Sequence, residues 1–175
     1  MSLKRKFERE SKLYMDYCDF MNKIISKGHA SKVDDKKGES VLRKTWYLPH
    51  FPVYHPHKPD QIRVVLDCSD TFEGESLNKH LLQGPDLMNK LVGVLTRFRQ
   101  EEIAITCDVE QMFHNFMVSE TDRDYLRFLS FEDGDMTKPI VTYRMNVHLF
   151  GEVSSPGCAN FGLHKTAQEG ESEFG

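Results

Sequence analysis

Asp108 closes the apolar run Ile103, Ala104, Ile105, Thr106, Cys107 and is the one carboxylate delivered there. An acid at the end of a strand is rigidly held, and its hard oxygens suit Mg²⁺; the carbonyl of the next residue, Val109, can add a second oxygen ligand. The same side chain could instead cap the short segment that follows, which carries Phe113 and Phe116. A second group gathers at Gly151, Ser154, Ser155 and Pro156. Small residues let a base or a backbone come close, and Ser-Ser-Pro is a good helix opening. The third is Arg63, at the start of the strand-like Ile62–Leu66, where a guanidinium can fork onto a triphosphate. Taken singly, each has a plainer explanation: a helix cap, a turn, a surface arginine.

Other chemistries fit less well. His50, His55 and His57 lie close together, but no cysteine is near, so they read as exposed loop histidines and not as a zinc site. Cys107, as a strand residue beside an acid, reads as a packed thiol and not as a nucleophile. SSPG has no Gly-x-Ser-x-Gly elbow, which argues against a serine hydrolase. The four cysteines are scattered with no CxxC pair, which fits reduced thiols in the cytoplasm or nucleus. No apolar run reaches the length of a membrane span, and the charged start lacks a signal-peptide core, so no membrane partner is expected. Residues 1–65 hold 14 Lys and Arg against 8 Asp and Glu, and residues 66–175 hold 9 against 19. A basic and an acidic lobe can serve phosphates and metals respectively.

These groups need elements to hold them. Residues 3–27 place Phe7, Leu13, Tyr14, Tyr17, Phe20, Met21, Ile24 and Ile25 at roughly helical spacing, and Gly28 supplies a stop. KVDDKKGES reads as a polar loop. The proline- and aromatic-rich WYLPHFPVYHPHKPD reads as extended, and QIRVVLDCS as a strand. A second helix is predicted over 86–98, capped by Asp86, with Leu87, Leu91, Val94, Leu95 and Phe98 on one face. A strand over 102–108 and a short helix or turn over 110–117 follow. YLRFLSF and PIVTYRMNVHLF then form an antiparallel pair about the turn EDGD, ahead of the Ser-Ser-Pro helix. The acidic tail QEGESEFG reads as frayed. This order predicts an α+β chain with a ferredoxin-like split βαβ sheet and helices on one face.

The segments YMDYCDFMNKIISKGHASKV, WYLPHFPVYHPHKPDQIRVVLDCS, SLNKHLLQGPDLMNKLVGVLTRFR, AITCDVEQMFHNF, DYLRFL, YRMNVHLFG and SSPGCANFGL occur in one order over residues 12–167. In this the chain resembles the reverse transcriptase of LTR retroelements, most closely that of BEL/Pao-type Pol polyproteins. The resemblance implies right-hand polymerase fingers and a partial palm: an N-terminal helix and linker over 1–45, a fingers-like segment over 46–100, a partial palm over 101–167 and a disordered tail over 168–175. It implies that Asp108 and the Val109 carbonyl hold Mg²⁺, with Asp108 as the catalytic acid. Phe113 matches the aromatic gate beneath the sugar, where a bulky ring excludes a 2′-hydroxyl. Arg63 matches the arginine that grips the incoming triphosphate. Phe150, Gly151, Ser155 and Pro156 match the nucleotide and template pocket, with Phe150 standing where some relatives carry glutamine. The implied partners are an RNA or DNA template-primer, a deoxynucleotide and the remainder of Pol.

The resemblance also marks a gap. The family's Tyr-x-Asp-Asp pair, expected after the Ser-Pro helix, is not found; Tyr14–Tyr17 (YMDY) precedes the first acid and lies on a helical stretch. Two-metal nucleotidyl transfer needs more than one carboxylate. The expectation is therefore a truncated piece of an RNA-directed DNA polymerase, inactive alone, with an exposed strand edge and apolar surface. The competing expectation is a non-catalytic nucleic-acid-binding or interaction fragment of such an element.

Overall fold

The computed structural model describes residues 3–34 and 45–174. Its helices are α1 (Leu3–Arg9), α2 (Ser11–Ser26), α3 (Leu77–His80), α4 (Leu91–Phe98) and α5 (Ser155–Phe174). Its strands are β1 (Ala30–Lys32), β2 (His50–His55), β3 (Lys58–Leu66), β4 (Arg127–Phe131) and β5 (Ile140–Met145). Helices and small antiparallel sheets together make the chain α+β. One sheet runs β1-β5-β4, and the other is the β2-β3 hairpin. Most of the polar loop KVDDKKGES lies outside the described residues.

The predicted first helix is two helices. Glu10 leaves helical geometry at φ −126°, ψ 82°, with no glycine or proline to mark the break. The reason is Phe7, whose ring centroid lies 4.7 Å from that of Tyr17. Ten residues apart on one straight helix, those rings would stand about 15 Å apart along the axis. The break folds Phe7 back onto α2, and both rings are 2% exposed. Leu13, Tyr17, Met21 and Ile24 then present one buried face of α2 to the sheets. Gly28, at φ +74°, ends the helix as its sequence suggests, and its amide bonds back to the Ile25 carbonyl.

The antiparallel pair β4–β5 forms as the alternating sequences predict, with Arg127 opposite Arg144 and Phe131 opposite Ile140. Phe128 is fully buried and stacks on Tyr143 at 5.7 Å. Asp124, before β4, draws Arg127 (3.2 Å) and Arg144 (3.1 Å) together, which offsets two facing cations. The extended Pro/aromatic segment becomes β2, paired with β3 from His50–Leu66 to Tyr54–Ile62, with a register slip at His55.

Three expectations are corrected. Residues 102–108 form no strand; Ile103 and Ile105 are 81% and 85% exposed. A strand is stabilised by its neighbours, and among the described residues none pairs with this stretch. The second helix begins at Leu91, not at residue 86, because the Asp86 carboxylate accepts from the Met88 amide (3.0 Å) in an Asx turn and caps nothing further on. The tail is helical: α5 continues through residues 168–174, carried by Gln168, Glu169, Glu171 and Glu173, all ordinary helix formers. Among the described residues no helix is long and apolar enough to cross a membrane.

Candidate functional site

The loop between β5 and α5 gathers most of the residues singled out in the sequence. Gly151 turns the chain at φ +94°, a conformation that favours glycine. The turn leaves Phe150 75% exposed, with its ring 6.0 Å from that of Phe113, tilted by 49°. Phe113 is half-buried on a 3₁₀ turn, Met112–Asn115. Two aromatics 37 positions apart in the chain thus form one partly exposed surface.

Asn78 fixes this loop, and sequence reasoning missed its role. Its Nδ2 donates to the Gly151 carbonyl (2.9 Å) and to Ser69 Oγ (3.0 Å), and its Oδ1 accepts from the Val153 amide (3.0 Å). Its own amide donates to the Cys68 carbonyl (3.0 Å). One amide side chain therefore ties the segment after β3 to the loop before α5. The sole hint in the sequence is an asparagine just after Ser-Leu in an otherwise unremarkable turn.

Beneath the loop sits Glu152, 6% exposed. Its carboxylate accepts from Ser154 Oγ (2.6 Å), Ser155 Oγ (3.1 Å) and the Leu149 amide (3.2 Å), and His148 Nδ1 lies 3.5 Å away. Burial by itself would raise its pKa. The bonds from His148, Ser154 and Leu149 outweigh that and hold the carboxyl below its ordinary value. Ser155, His148 and Glu152 do not form a hydrolytic triad. Ser155 has no exposed surface, its hydroxyl donates to the acid, and serine and glutamate both face the same imidazole nitrogen. This corrects the expectation that Ser155 lines a nucleotide pocket: its side chain supports the loop from below. Pro156 beside it is exposed.

α5 closes on the aromatic turn through Gly162. A Cβ there would fall 2.0 Å from Phe116 Cε1, so Phe116 occupies the space a side chain would need. The carbonyl of Phe116 accepts from the His148 amide (3.0 Å), which joins the turn to the chain leaving β5.

Arg63 and Asp108 stand apart from this assembly. Arg63 is exposed on β3 opposite Val53, and among the described residues neither it nor Asp108 makes a side-chain hydrogen bond or ion pair. Asp108 and Val109 lie on the exposed stretch after Ile105. Cys107 is exposed too; the packing expected of it required the strand that does not form. Mg²⁺ held by Asp108 and Val109 finds no support in the donor arrangement: among the described residues no three His, Cys, Asp or Glu side chains converge. His50 departs from expectation in the other direction. It turns into the core, bonds Tyr17 through Nε2 (2.7 Å) and meets the Phe128 ring edge-on at 5.6 Å. Burial lowers its pKa to about 4. The three nearby histidines consequently do not converge.

No protein-family model and no curated protein matches this sequence.

Proposed function

We propose that this chain is the fingers and partial palm of a reverse transcriptase resembling that of BEL/Pao-type LTR retroelements, and that it grips nucleic acid without housing a metal centre. The observation that carries the reading is the meeting of distant motif segments. SLN touches FGEV through Asn78, and the Phe113 turn touches the same loop through Phe150. The resemblance implies that Phe113 lies under the incoming sugar and that Phe150 and Gly151 line the nucleotide and template pocket. Phe150 and Phe113 offer a face on which a base or sugar can stack, and exposed Arg63 on the hairpin offers a phosphate contact. The partners are an RNA or DNA template-primer, a deoxynucleotide and the remainder of Pol, in the cytoplasm or nucleus.

Among the described residues no side chains converge as a two-metal site requires. Asp108 is one exposed acid, so no catalytic step is assigned to it here. This favours a second reading, a nucleic-acid-binding piece that performs no polymerisation at all. The two part on the coding DNA downstream of this frame: a Tyr-x-Asp-Asp hairpin supports the polymerase parent, and unrelated exons support the binding piece.

The direct test is fluorescence anisotropy with labelled single-stranded RNA and with a primer-template at several salt concentrations. Binding that weakens with salt is expected, and Arg63→Ala should reduce the logarithmic salt slope by about 1. Primer extension with Mg²⁺ by this chain should be absent. Extension that disappears in Asp108→Ala would refute the claim of inactivity, and salt-insensitive or absent binding would refute the grip.

A further inference from the structure

His29 and His114 form an isolated imidazole pair. Their ring centroids lie 5.0 Å apart at an interplanar angle of 56°. His29 stands between α2 and β1, and its carbonyl accepts from the Asn146 amide (2.7 Å). His114 belongs to the turn that bears Phe113. The Nδ1 atoms of both rings are buried and have no hydrogen-bond partner among the described residues. The turn is held at its other end by a weaker contact, Lys27 Nζ donating to Gln111 Oε1 at 3.3 Å. Gln111 itself sits at φ +51°, an uncommon backbone state for a side-chain-bearing residue.

This packing favours two neutral rings over a charged one. Charged and titratable side chains on the elements that meet here are Lys23 of α2, Lys27 just after it, Lys32 of β1, Glu110 ahead of the turn, His164, Lys165 and Glu169 of α5, which packs on the turn, and Arg144 of β5, which is engaged by Asp124. Lys27 acts on both rings, and in the direction that disfavours a further positive charge. Burial does the same, so both imidazoles titrate below the ordinary value of 6.5. A protonated ring carries an N–H on both nitrogens, and the buried Nδ1–H of either ring would lack an acceptor among the described residues; charges on both rings would also repel across the ring contact.

We propose that the His29–His114 pair is a pH-sensitive latch, closed when both rings are neutral, that docks the Phe113-bearing turn against the α2–β1 junction and releases it on protonation. His29 and His114 are thus positioning residues, acting on the Phe113–Phe150 surface through the turn. The latch stands whether or not the chain belongs to a polymerase.

The test is NMR on the full chain from about pH 7.5 to about pH 5. The imidazole Cε1–H signals of His29 and His114 should titrate together, as a coupled pair, below the ordinary value of 6.5. Over the same range, the amides of His114 and Phe116, bonded to the Gln111 and Phe113 carbonyls, should gain about tenfold in hydrogen exchange after correction for the intrinsic rate. His114→Phe should keep the ring contact and abolish that gain. Equal acid-induced exchange in His114→Phe and the parent would overturn the latch. If the variant does not fold, the parent decides: rings that titrate at or above 6.5, with no accompanying shift in the amides of residues 110–116, overturn it equally.

Discussion

Single residues in this protein are constrained by what they touch, more than by their chemical type. Gly162 is the sharpest case, because the Phe116 ring fills the place of its missing side chain. Alanine normally stabilises a helix relative to glycine by about 1 kcal/mol. Here the ring must move, at a typical overpacking cost of about 1–3 kcal/mol, so Gly162→Ala should lower stability in urea titration. Combining it with Phe116→Ala should recover part of the loss, since the two sites share one space. Phe150 makes the opposite case: 75% exposed, it contributes little to the fold. Phe150→Ala should leave the melting temperature nearly unchanged and weaken single-stranded nucleic-acid binding by about 1–3 kcal/mol, read as anisotropy. His50 links residue to pH. Its imidazole is buried against Tyr17 and Phe128, and its pKa falls to about 4, while the unfolded chain binds a proton near 6.5. Its contribution is complete above the unfolded value and is lost as pH falls through the folded one, about 3 kcal/mol over that window. His50→Gln, which retains an acceptor for Tyr17, should flatten the decline in stability between about pH 6.5 and about pH 4.

At the scale of elements, what could be read from the sequence depends on where each element finds its partners. β4 and β5 alternate, turn over a short acidic connection and pair with each other, so a local pattern suffices. The buried face of α2 and its glycine stop are equally local. The break at Glu10 is not, because it is set by Phe7 reaching Tyr17, a contact that no helical periodicity contains. The stretch 102–108 has the composition of a buried strand, but composition cannot supply a neighbour, and without one its isoleucines remain in solvent. The candidate site divides in the same way. Phe113 and Phe150 meet beside the Gly151 turn, while Asp108 and Arg63 join neither them nor each other by any polar bond among the described residues. Asn78 was hidden because its three partners, Ser69, Gly151 and Val153, come from two distant stretches. Losing such a clamp leaves the exposed Gly151 carbonyl to water but orphans the partly buried Val153 amide, at a cost of about 1–3 kcal/mol. Asn78→Ala should accordingly raise hydrogen exchange at Val153 and broaden the signals of the Phe150–Gly151 turn, with little effect on β4 and β5.

For the whole molecule, the governing feature is apolar surface gathered in one stretch of the chain. α4 buries none of its residues; Leu91 and Val92 are 70% and 77% exposed, and Met88, Ile103 and Ile105 flank them at 70%, 81% and 85%. An eight-residue helix is too short to persist in water by its own hydrogen bonds. Its apolar side chains therefore favour any surface that removes them from solvent, and in a purified sample the most abundant such surface is another copy of the chain. The expected behaviour is concentration-dependent association in light scattering. The double substitution Leu91→Lys and Ile105→Lys should suppress it while leaving the melting temperature within about 1 °C, because neither side chain is buried and exposed sites contribute little to stability. The β2–β3 hairpin and the β1-β5-β4 sheet share a core closed by α2, so they should melt together whether or not the chain associates. A parent chain that remains monomeric at high concentration, or a double variant that associates as the parent does, would overturn this expectation.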